Sequence, residues 1–157
     1  MLLYKKKKFP AVILRLYQAY GPNQTKNRLI PIIITKSLKN LKFDCTDGKQ
    51  KRDFLYIDDL VQGIIRSLVY HEGHNTSQTF NITYGNARTI KELFDIVEKH
   101  LPKAKSEVAE RSIDKPSRGT LSIKRAREVL GFKPKWCLEN GYESYINWFK
   151  DMWQKKI

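Results

Sequence analysis

The sequence predicts an α/β protein in which short buried strands alternate with amphipathic helices. Two runs of apolar, partly β-branched residues, 11–17 and 79–83, are typical of strands in a parallel sheet that is covered on both faces. Apolar residues recur at helical spacing in the segments between and after these runs. With 157 residues the chain has the length of one domain, so we expect 1–157 to form a single unit.

The first half of the chain reads as a strand followed by two helices. The strand at 11–17 is closed by a Gly-Pro turn at 21–22, and a helix is predicted over 29–38. The segment 54–56 is short and extended, and Asp58 then offers an N-cap to a second helix. The predicted apolar face of that helix consists of Leu60, Val61, Ile64, Ile65, Leu68 and Val69.

In the second half, the strand at 79–83 is followed by a helix that Thr89 caps. Glu92, three residues after Thr89, completes a capping box, and the inward face is formed by Ile90, Leu93, Phe94, Ile96 and Val97.

Weaker patterns follow residue 102. They predict a strand around 106–111, a polar loop at 114–120, a helix at 122–130 that stops at Gly131, and a final helix at 138–154. The final helix carries one apolar face, made of Tyr142, Tyr145, Ile146, Phe149 and Trp153.

Composition excludes several classes of protein. Hydrophobic residues make up 41% of the chain and charged residues 29%, which excludes a disordered protein. No apolar stretch approaches the roughly 18 residues of a membrane span. In the first ten residues the positive charges follow a short apolar patch, whereas in a secretory signal they precede the apolar stretch. Cys45 and Cys137 lack the spacing of a zinc site or a disulfide framework, so we expect a cytoplasmic protein.

The charge is strongly positive, with 30 Lys and Arg against 16 Asp and Glu and a formal net charge of +14. Such a balance fits nucleic acid, another anionic partner or a phosphorylated ligand. Lys outnumbers Arg by 21 to 9. This ratio favours a solvated basic surface over phosphate binding by guanidinium groups, because two-pronged hydrogen bonding to phosphate requires Arg. No sequence signature of a nucleic-acid-binding fold is present.

Six segments occur in a characteristic order: RLYQAYGP at 15–22, RLIP at 28–31, DGKQKRDFLYIDD at 47–59, FNI at 80–82, RSID at 111–114 and LGFKP at 130–134. In order and spacing they resemble the extended short-chain dehydrogenase/reductases that act on nucleotide sugars, the NAD-dependent epimerases and dehydratases. The resemblance covers nearly the whole chain. It implies late strands and helices of a Rossmann-like sheet together with the small carboxyl-terminal substrate-binding α/β subdomain.

Two hallmarks of that family are missing from the sequence. Family members begin with a Gly-rich turn that holds the dinucleotide pyrophosphate, and they carry a catalytic Tyr-x-x-x-Lys before the RLYQAYGP-like strand. Tyr4 and Lys8 have the spacing of that second motif but lie too close to the strand. We therefore expect the carboxyl-terminal part of such an enzyme, without its dinucleotide-binding half, with no catalytic residue of its own and inactive alone.

The resemblance implies which residues bind the nucleotide sugar. Arg52 and Arg111 match arginines that contact the phosphates and ribose, which suits a guanidinium fork. The alternative for each is a surface ion pair, with Asp53 or Asp114. Arg28 and Leu29 match the pair that lines the nucleotide end. Gln18, where the family usually has Asn, and Asn81 complete the expected set.

The resemblance also implies where the cofactor would lie. Tyr20 and Pro22 end a strand near the nicotinamide end of NAD or NADP in the intact enzyme, and we expect no cofactor on this chain alone.

Two further groups of residues have structural explanations. Asp58 and Asp59 resemble a carboxylate pair for acid–base chemistry, but a helix cap with a dipole-facing neighbour is favoured. His71, His74 and His100 do not have the spacing of a metal site, and we predict none.

Three functional hypotheses follow. The leading one is a nucleotide-sugar-binding part that positions diphosphate and sugar for hydride transfer, with the other half of the enzyme as its partner. The second is a non-catalytic basic module for nucleic acid or another anion, and the third is a structural fragment without ligand affinity. Because the strands at 11–17 and 79–83 would have exposed edges, we also expect a homo-oligomer.

Overall fold

The computed structural model describes residues 10–45, 47–73, 77–101, 105–108 and 117–154. Within these ranges the strands are β1 (Val12–Leu16), β2 (Gln18–Tyr20), β3 (Lys42–Cys45), β4 (Lys51–Arg52), β5 (Phe54–Tyr56), β6 (Gln78–Ile82), β7 (Arg88–Thr89) and β8 (Lys105–Val108). The helices are α1 (Leu29–Leu38), α2 (Ile57–Gly73), α3 (Ile90–His100), α4 (Lys124–Leu130) and α5 (Leu138–Gln154). The predicted α/β class is confirmed.

The strands pair in four short ladders. Three are parallel: β1 with β6, β2 with β5, and β3 with β8. The fourth, between β4 and β7, is antiparallel and places Arg52 opposite Arg88. Crossover helices make the parallel pairs possible, since α2 follows β5 directly and leads back to β6.

The predicted strand at 11–17 is two strands. At Tyr17 the ladder changes partner, and the Ala19 N–H donates to the Tyr17 carbonyl over 2.9 Å. The expectation that this strand is buried on both faces is wrong, because Ile13, Arg15 and Leu16 are exposed. Within the described residues β1 has a neighbouring strand on one side, β6.

The predicted helices are present, with two corrections at their starts. Asp58 is not the N-cap of α2, because the helix begins at Ile57 immediately after β5. Asp58 and Asp59 instead lie in its first turn, where a carboxylate interacts favourably with the positive end of the helix dipole. Helix α4 begins at Lys124, two residues later than predicted, and ends as expected at Gly131, whose φ of +64° is left-handed.

The apolar side chains form two clusters. The first packs α1, α3 and α5 around β2 and β5, with Ile34, Val97 and Tyr142 fully buried. The second packs α2 and α4 on β5 and β6, with Leu55, Ile82 and Phe132 at its centre. Of the apolar face predicted for α2, Leu60 alone is buried, and the other five residues are exposed. The side chain of Trp153 lies outside the described residues.

None of the described helices is long and apolar enough to cross a membrane.

Candidate functional site

The carboxyl ends of the parallel strands form one edge of the sheet, where a ligand is expected. In open α/β sheets ligands bind in the crevice beyond these ends. The strands β1 and β6 both run toward this edge, ending at Leu16 and Ile82 in register. The strands β2 and β5 end together at Tyr20 and Tyr56. Two of the sequence motifs, YGP and FNI, therefore lie at strand ends.

Gln18 occupies the first position of β2, opposite Phe54 of β5. It is half-buried and directly follows the residue at which the chain passes from one ladder to the next. The strand that carries Gln18 is thus fixed by β5, which begins two residues after Arg52.

Tyr20 is a core residue. Its side chain is 2% exposed, packs on the rings of Phe54 and Tyr56, and points its hydroxyl at the Leu138 carbonyl over 3.4 Å. Burial raises the pKa of this hydroxyl above its usual range. The ring leaves little exposed surface for a cofactor contact, and the expected role of Tyr20 stays a prediction. Pro22, half-buried in the turn that follows, keeps a partly accessible position.

The turn after β2 is held tightly against α2. Gly21 has a φ of +144°, and a side chain there would lie 2.6 Å from Cγ2 of Ile57, the first residue of α2. Glycine is required for both reasons. The turn and the helix start are consequently positioned as one unit beside Pro22.

Arg52 lies on β4 next to Lys51, and the backbone of Arg118 pairs with this strand. Its Nη1 donates to the carbonyl oxygen of Lys51 over 2.7 Å, and the Arg118 N–H donates to the same oxygen over 3.1 Å. The Lys51 N–H in turn donates to Ser117 Oγ over 2.9 Å. The segment that begins at Ser117 therefore runs along β4, which brings the backbone of Arg118 beside Lys51 and Arg52.

Asp53, next to Arg52, faces the interior. Its side chain is fully buried, and its two carboxylate oxygens accept the Gly85 N–H over 3.2 and 3.1 Å. Adjacent residues of an extended chain point to opposite sides, so Arg52 faces the other way. A surface ion pair of Arg52 with Asp53 is therefore excluded, because this carboxylate is not at the surface.

Arg88, opposite Arg52 in the β4–β7 ladder, is paired with two carboxylates. Its Nε donates to Glu92 Oε1 over 2.7 Å and its Nη2 to Glu139 Oε1 over 2.9 Å. Partial burial opposes the charge, but the two carboxylates raise the pKa of Arg88 above its usual value. The charge of Arg88 is thus balanced within the protein, whereas Lys51 and Arg118 have no ion pair among the described contacts.

The remaining predicted residues lie on separate elements. Arg28 and Leu29 are exposed at the start of α1, where the Arg28 N–H donates to the Thr25 carbonyl. Asn81 lies on β6 and donates from Nδ2 to the Ser122 carbonyl over 3.0 Å, so its amide fixes the segment before α4. Arg111 lies outside the described residues.

Two contributions were missed by sequence reasoning. The backbone of Arg118 lies beside Lys51 and Arg52 only because its segment pairs with β4, and no local motif announces it. Asp59 accepts the N–H groups of Lys135 and Trp136 over 2.9–3.0 Å, which makes it an anchor and not an acid–base group. The described Asp, Glu, His and Cys side chains form no cluster that could hold a metal ion; His74 lies outside the described residues.

Comparison with known proteins identifies the class. The sequence profile of the NAD dependent epimerase/dehydratase family matches residues 2–83, more than half of the chain. The chain belongs to this family, whose members are extended short-chain dehydrogenase/reductases.

Individual relatives share this fold. The chain is 35% identical over 141 residues to dTDP-4-dehydro-6-deoxyglucose reductase from Escherichia coli, covering 87% of this chain and 44% of that protein. It superposes with a TM-score of 0.85 on UDP-glucuronic acid 4-epimerase from Bacillus cereus, solved with UDP-glucuronic acid and NAD, at 27% identity over 96% of this chain and 48% of that one. UDP-glucose 4-epimerase from Thermotoga maritima, solved with UDP-glucose, gives 0.82 at 26% identity over 97% of this chain and 50% of that one. The chain spans about half the length of these relatives, or less.

Proposed function

We propose that the chain is the carboxyl-terminal, nucleotide-sugar-binding part of an NAD(P)-dependent epimerase or dehydratase, and that its basic residues on β4 bind the diphosphate. One observation carries the proposal: Lys51 and Arg52 lie on β4, the backbone of Arg118 pairs with the same strand, and Asp53 is turned inward. A diphosphate needs fixed positive charge, and a guanidinium matches its geometry.

The other predicted residues take supporting roles in this proposal. Arg28 and Leu29, exposed at the start of α1, would line the nucleotide end, and Arg111 would add a further guanidinium. Gln18, at the edge where β1 gives way to β2, would reach a sugar hydroxyl or the phosphate. The Nδ2 of Asn81 donates to the Ser122 carbonyl, and its amide oxygen would accept a hydrogen bond from a ligand.

The cofactor belongs to the intact enzyme. The Bacillus cereus epimerase was solved with NAD, which supports the same cofactor class here. Among the described residues we find no dinucleotide site: Tyr20 is in the core, and Pro22 offers one edge of a turn. When bound, the cofactor would take a hydride from the sugar, while this chain orients the diphosphate. The chain alone should give no turnover, and epimerase or dehydratase activity of the purified protein would contradict this.

Titration calorimetry with UDP-glucose, dTDP-glucose and CDP-glucose tests the proposal. We expect saturable binding to the purified chain, weakened about tenfold or more by Arg52→Ala, because a charge-assisted hydrogen bond contributes roughly 1.5–3 kcal/mol. Arg127→Ala, which removes an exposed arginine of α4, is the matched control and should bind like the wild type.

Two outcomes would overturn the proposal. Absence of any saturable binding would favour the fragment without ligand affinity. Tight binding of DNA or RNA with a steep log–log dependence on salt, in place of nucleotide-sugar binding, would favour the basic module.

A further inference from the structure

Arg88 and Arg52 lie directly opposite each other in the antiparallel β4–β7 ladder. The side chains of such a cross-strand pair stand on the same face of the ladder, with their Cβ atoms about 4.5–5.5 Å apart. Two like charges in this arrangement destabilise the ladder unless carboxylates compensate them. The surroundings of Arg88 are therefore also the surroundings of Arg52.

Arg88 has more carboxylate partners than its single charge requires. Its Nε donates to Glu92 Oε1 over 2.7 Å, and its Nη2 donates to Glu139 Oε1 over 2.9 Å. One positive and two negative side chains leave this group with one net negative charge. We call Arg88, Glu92 and Glu139 the acidic triad. It places negative charge beside the arginine to which the proposed function assigns the diphosphate.

The two carboxylates of the acidic triad differ in what else they do. Glu92 belongs to the capping box, because its Oε2 accepts the Thr89 N–H over 2.7 Å and the Thr89 hydroxyl over 2.8 Å. Glu139 lies in the first turn of α5, 51 residues from Arg88, and its side chain is 46% exposed. An ion pair this exposed adds little stability. Stability therefore accounts for Glu92 but not for the second carboxylate.

All three side chains of the acidic triad are charged at neutral pH. Partial burial opposes the charge of Glu139, but hydrogen bonds from its own backbone N–H and from Arg88 lower its pKa below the usual value. Burial also opposes the charge of Arg88, and its two carboxylate partners outweigh this effect and raise its pKa. The negative charge beside Arg52 is therefore present under physiological conditions.

We propose that Glu139 is a specificity-determining residue of the diphosphate site, which favours a nucleotide sugar over the free nucleoside diphosphate. This inference rests on the proposed function, in which Arg52 binds the diphosphate. In a nucleotide sugar the terminal phosphate is esterified by the sugar. In the free nucleoside diphosphate it is a monoester with a second pKa of about 6, so that this ligand carries one more negative charge at neutral pH. The charge of Glu139 repels that additional charge.

Loss of the Glu139 charge would have two effects of the same sign. The acidic triad would become neutral, and Nη2 of Arg88 would lose its partner and could donate to a phosphate oxygen. Both effects favour the ligand with the larger negative charge. At roughly 8 Å and an effective dielectric constant of about 40, one unit charge changes the affinity for a second one about fivefold.

Titration calorimetry of the purified chain with UDP and UDP-glucose tests the inference, and the corresponding dTDP and CDP pairs cover the other bases. The measured quantity is the ratio of the two affinities at about pH 8, well above the second pKa of the terminal phosphate. We expect Glu139→Gln to shift this ratio about fivefold toward UDP. Glu139→Asp keeps the charge and should keep the ratio of the wild type.

Two further variants separate a local effect from one of net charge. Asp95 pairs with Lys91 on the exposed surface of α3 over 3.1 Å and makes no contact with Arg88 in the described structure. Asp95→Asn therefore loses the same charge as Glu139→Gln at another place, and it should keep the ratio of the wild type. Arg88→Ala leaves two carboxylates without their cation and should shift the ratio away from UDP.

The outcomes distinguish this inference from the proposed function. If the wild type binds UDP-glucose, an unchanged ratio in Glu139→Gln, or an equal shift in Asp95→Asn, overturns the inference alone. If the wild type binds none of the nucleotide sugars, the proposed function falls together with it. Circular dichroism shows whether each variant is folded. If Glu139→Gln is not, Arg88→Ala decides, and a wild-type ratio there overturns the inference.

Discussion

At the scale of single residues, neighbouring side chains divide structural and binding roles. Asp53 faces inward and accepts the Gly85 N–H with both carboxylate oxygens, whereas Arg52 faces the opposite side. Asp58 and Asp59 differ in burial in the same way: Asp58 is exposed in the first turn of α2, whereas Asp59 is buried and accepts the Lys135 and Trp136 N–H groups. Two buried carboxylates therefore hold the backbone from which the candidate site is built.

The Thr89–Glu92 capping box makes stability depend on acid pH. The Thr89 backbone N–H, with its hydroxyl and Arg88, lowers the pKa of Glu92 to about 2 despite some burial. A lowered folded-state pKa contributes stability that is complete above the ordinary value of 4.5 and is lost as the pH falls toward 2.

We expect Glu92→Gln to lower the free energy of unfolding by about 1 kcal/mol at pH 7, a value that allows for partial solvent exposure of the pair. Urea unfolding at several pH values should show the two proteins converging below pH 4.5. A difference that stays constant down to pH 3 would contradict the assignment.

Local contacts such as this capping box could be predicted, and distant ones could not. Thr89 and Glu92 are three residues apart, so their reciprocal hydrogen bonds follow from the sequence. The hydrogen-bond partner of Asp53 lies 32 residues away in the sequence and those of Asp59 at least 76, so no local sequence pattern predicts them. The position of Arg118 beside β4 could not be predicted for the same reason.

At the scale of elements, helix boundaries could be predicted better than helix surroundings. Periodicity predicted α1 at 29–38 and the final helix at 138–154, and both are confirmed. For α2, periodicity indicated the correct helix but the wrong buried side. The small and polar residues Gly63 and Ser67 pack inward, whereas the apolar residues Leu68 and Val69 are exposed. A single sequence does not distinguish an apolar helix face that packs on the protein's own sheet from one that is exposed.

Gly63 allows the close approach of α2 to β6. A Cβ there would lie 2.7 Å from Ile82 Cγ2 and 3.4 Å from Phe132 Cε2. We expect Gly63→Ala to destabilise the fold by about 1 kcal/mol, because an overpacking cost of roughly 1–3 kcal/mol exceeds the helix-propensity gain of about 1 kcal/mol.

Gly73, at the end of the same helix, has open space around its Cα and provides the control. Gly73→Ala should be neutral or slightly stabilising in thermal unfolding. Equal melting temperatures for the two variants would mean that Ile82 yields without cost.

At the scale of the whole molecule, the proposed function assigns a binding role to only a few of the residues that give the net charge of +14. In the proposed function the anionic ligand is a nucleotide sugar, and the basic residues that would meet it are Lys51 and Arg52 on β4, with the backbone of Arg118 paired to that strand. Elsewhere basic side chains form exposed pairs, such as Lys91 with Asp95 and Lys124 with Glu128, which add little stability.

We expect the purified chain to self-associate, because among the described strands β1 is paired on one edge, and five apolar residues of α2 are exposed: Val61, Ile64, Ile65, Leu68 and Val69. The apparent mass in light scattering should rise with protein concentration and fall when Val61→Lys is introduced. A monomer at all concentrations would contradict the expectation.

The anchoring of α2 by Asp59 also bears on how the chain folds as it is synthesised. The N–H groups that neutralise this carboxylate come from Lys135 and Trp136, 76 and 77 residues later. Until that stretch has been made, Asp59 lacks these partners, and burying its charge without them is costly. We therefore expect the first turn of α2 to pack against the protein only after residues 135 and 136 have been synthesised.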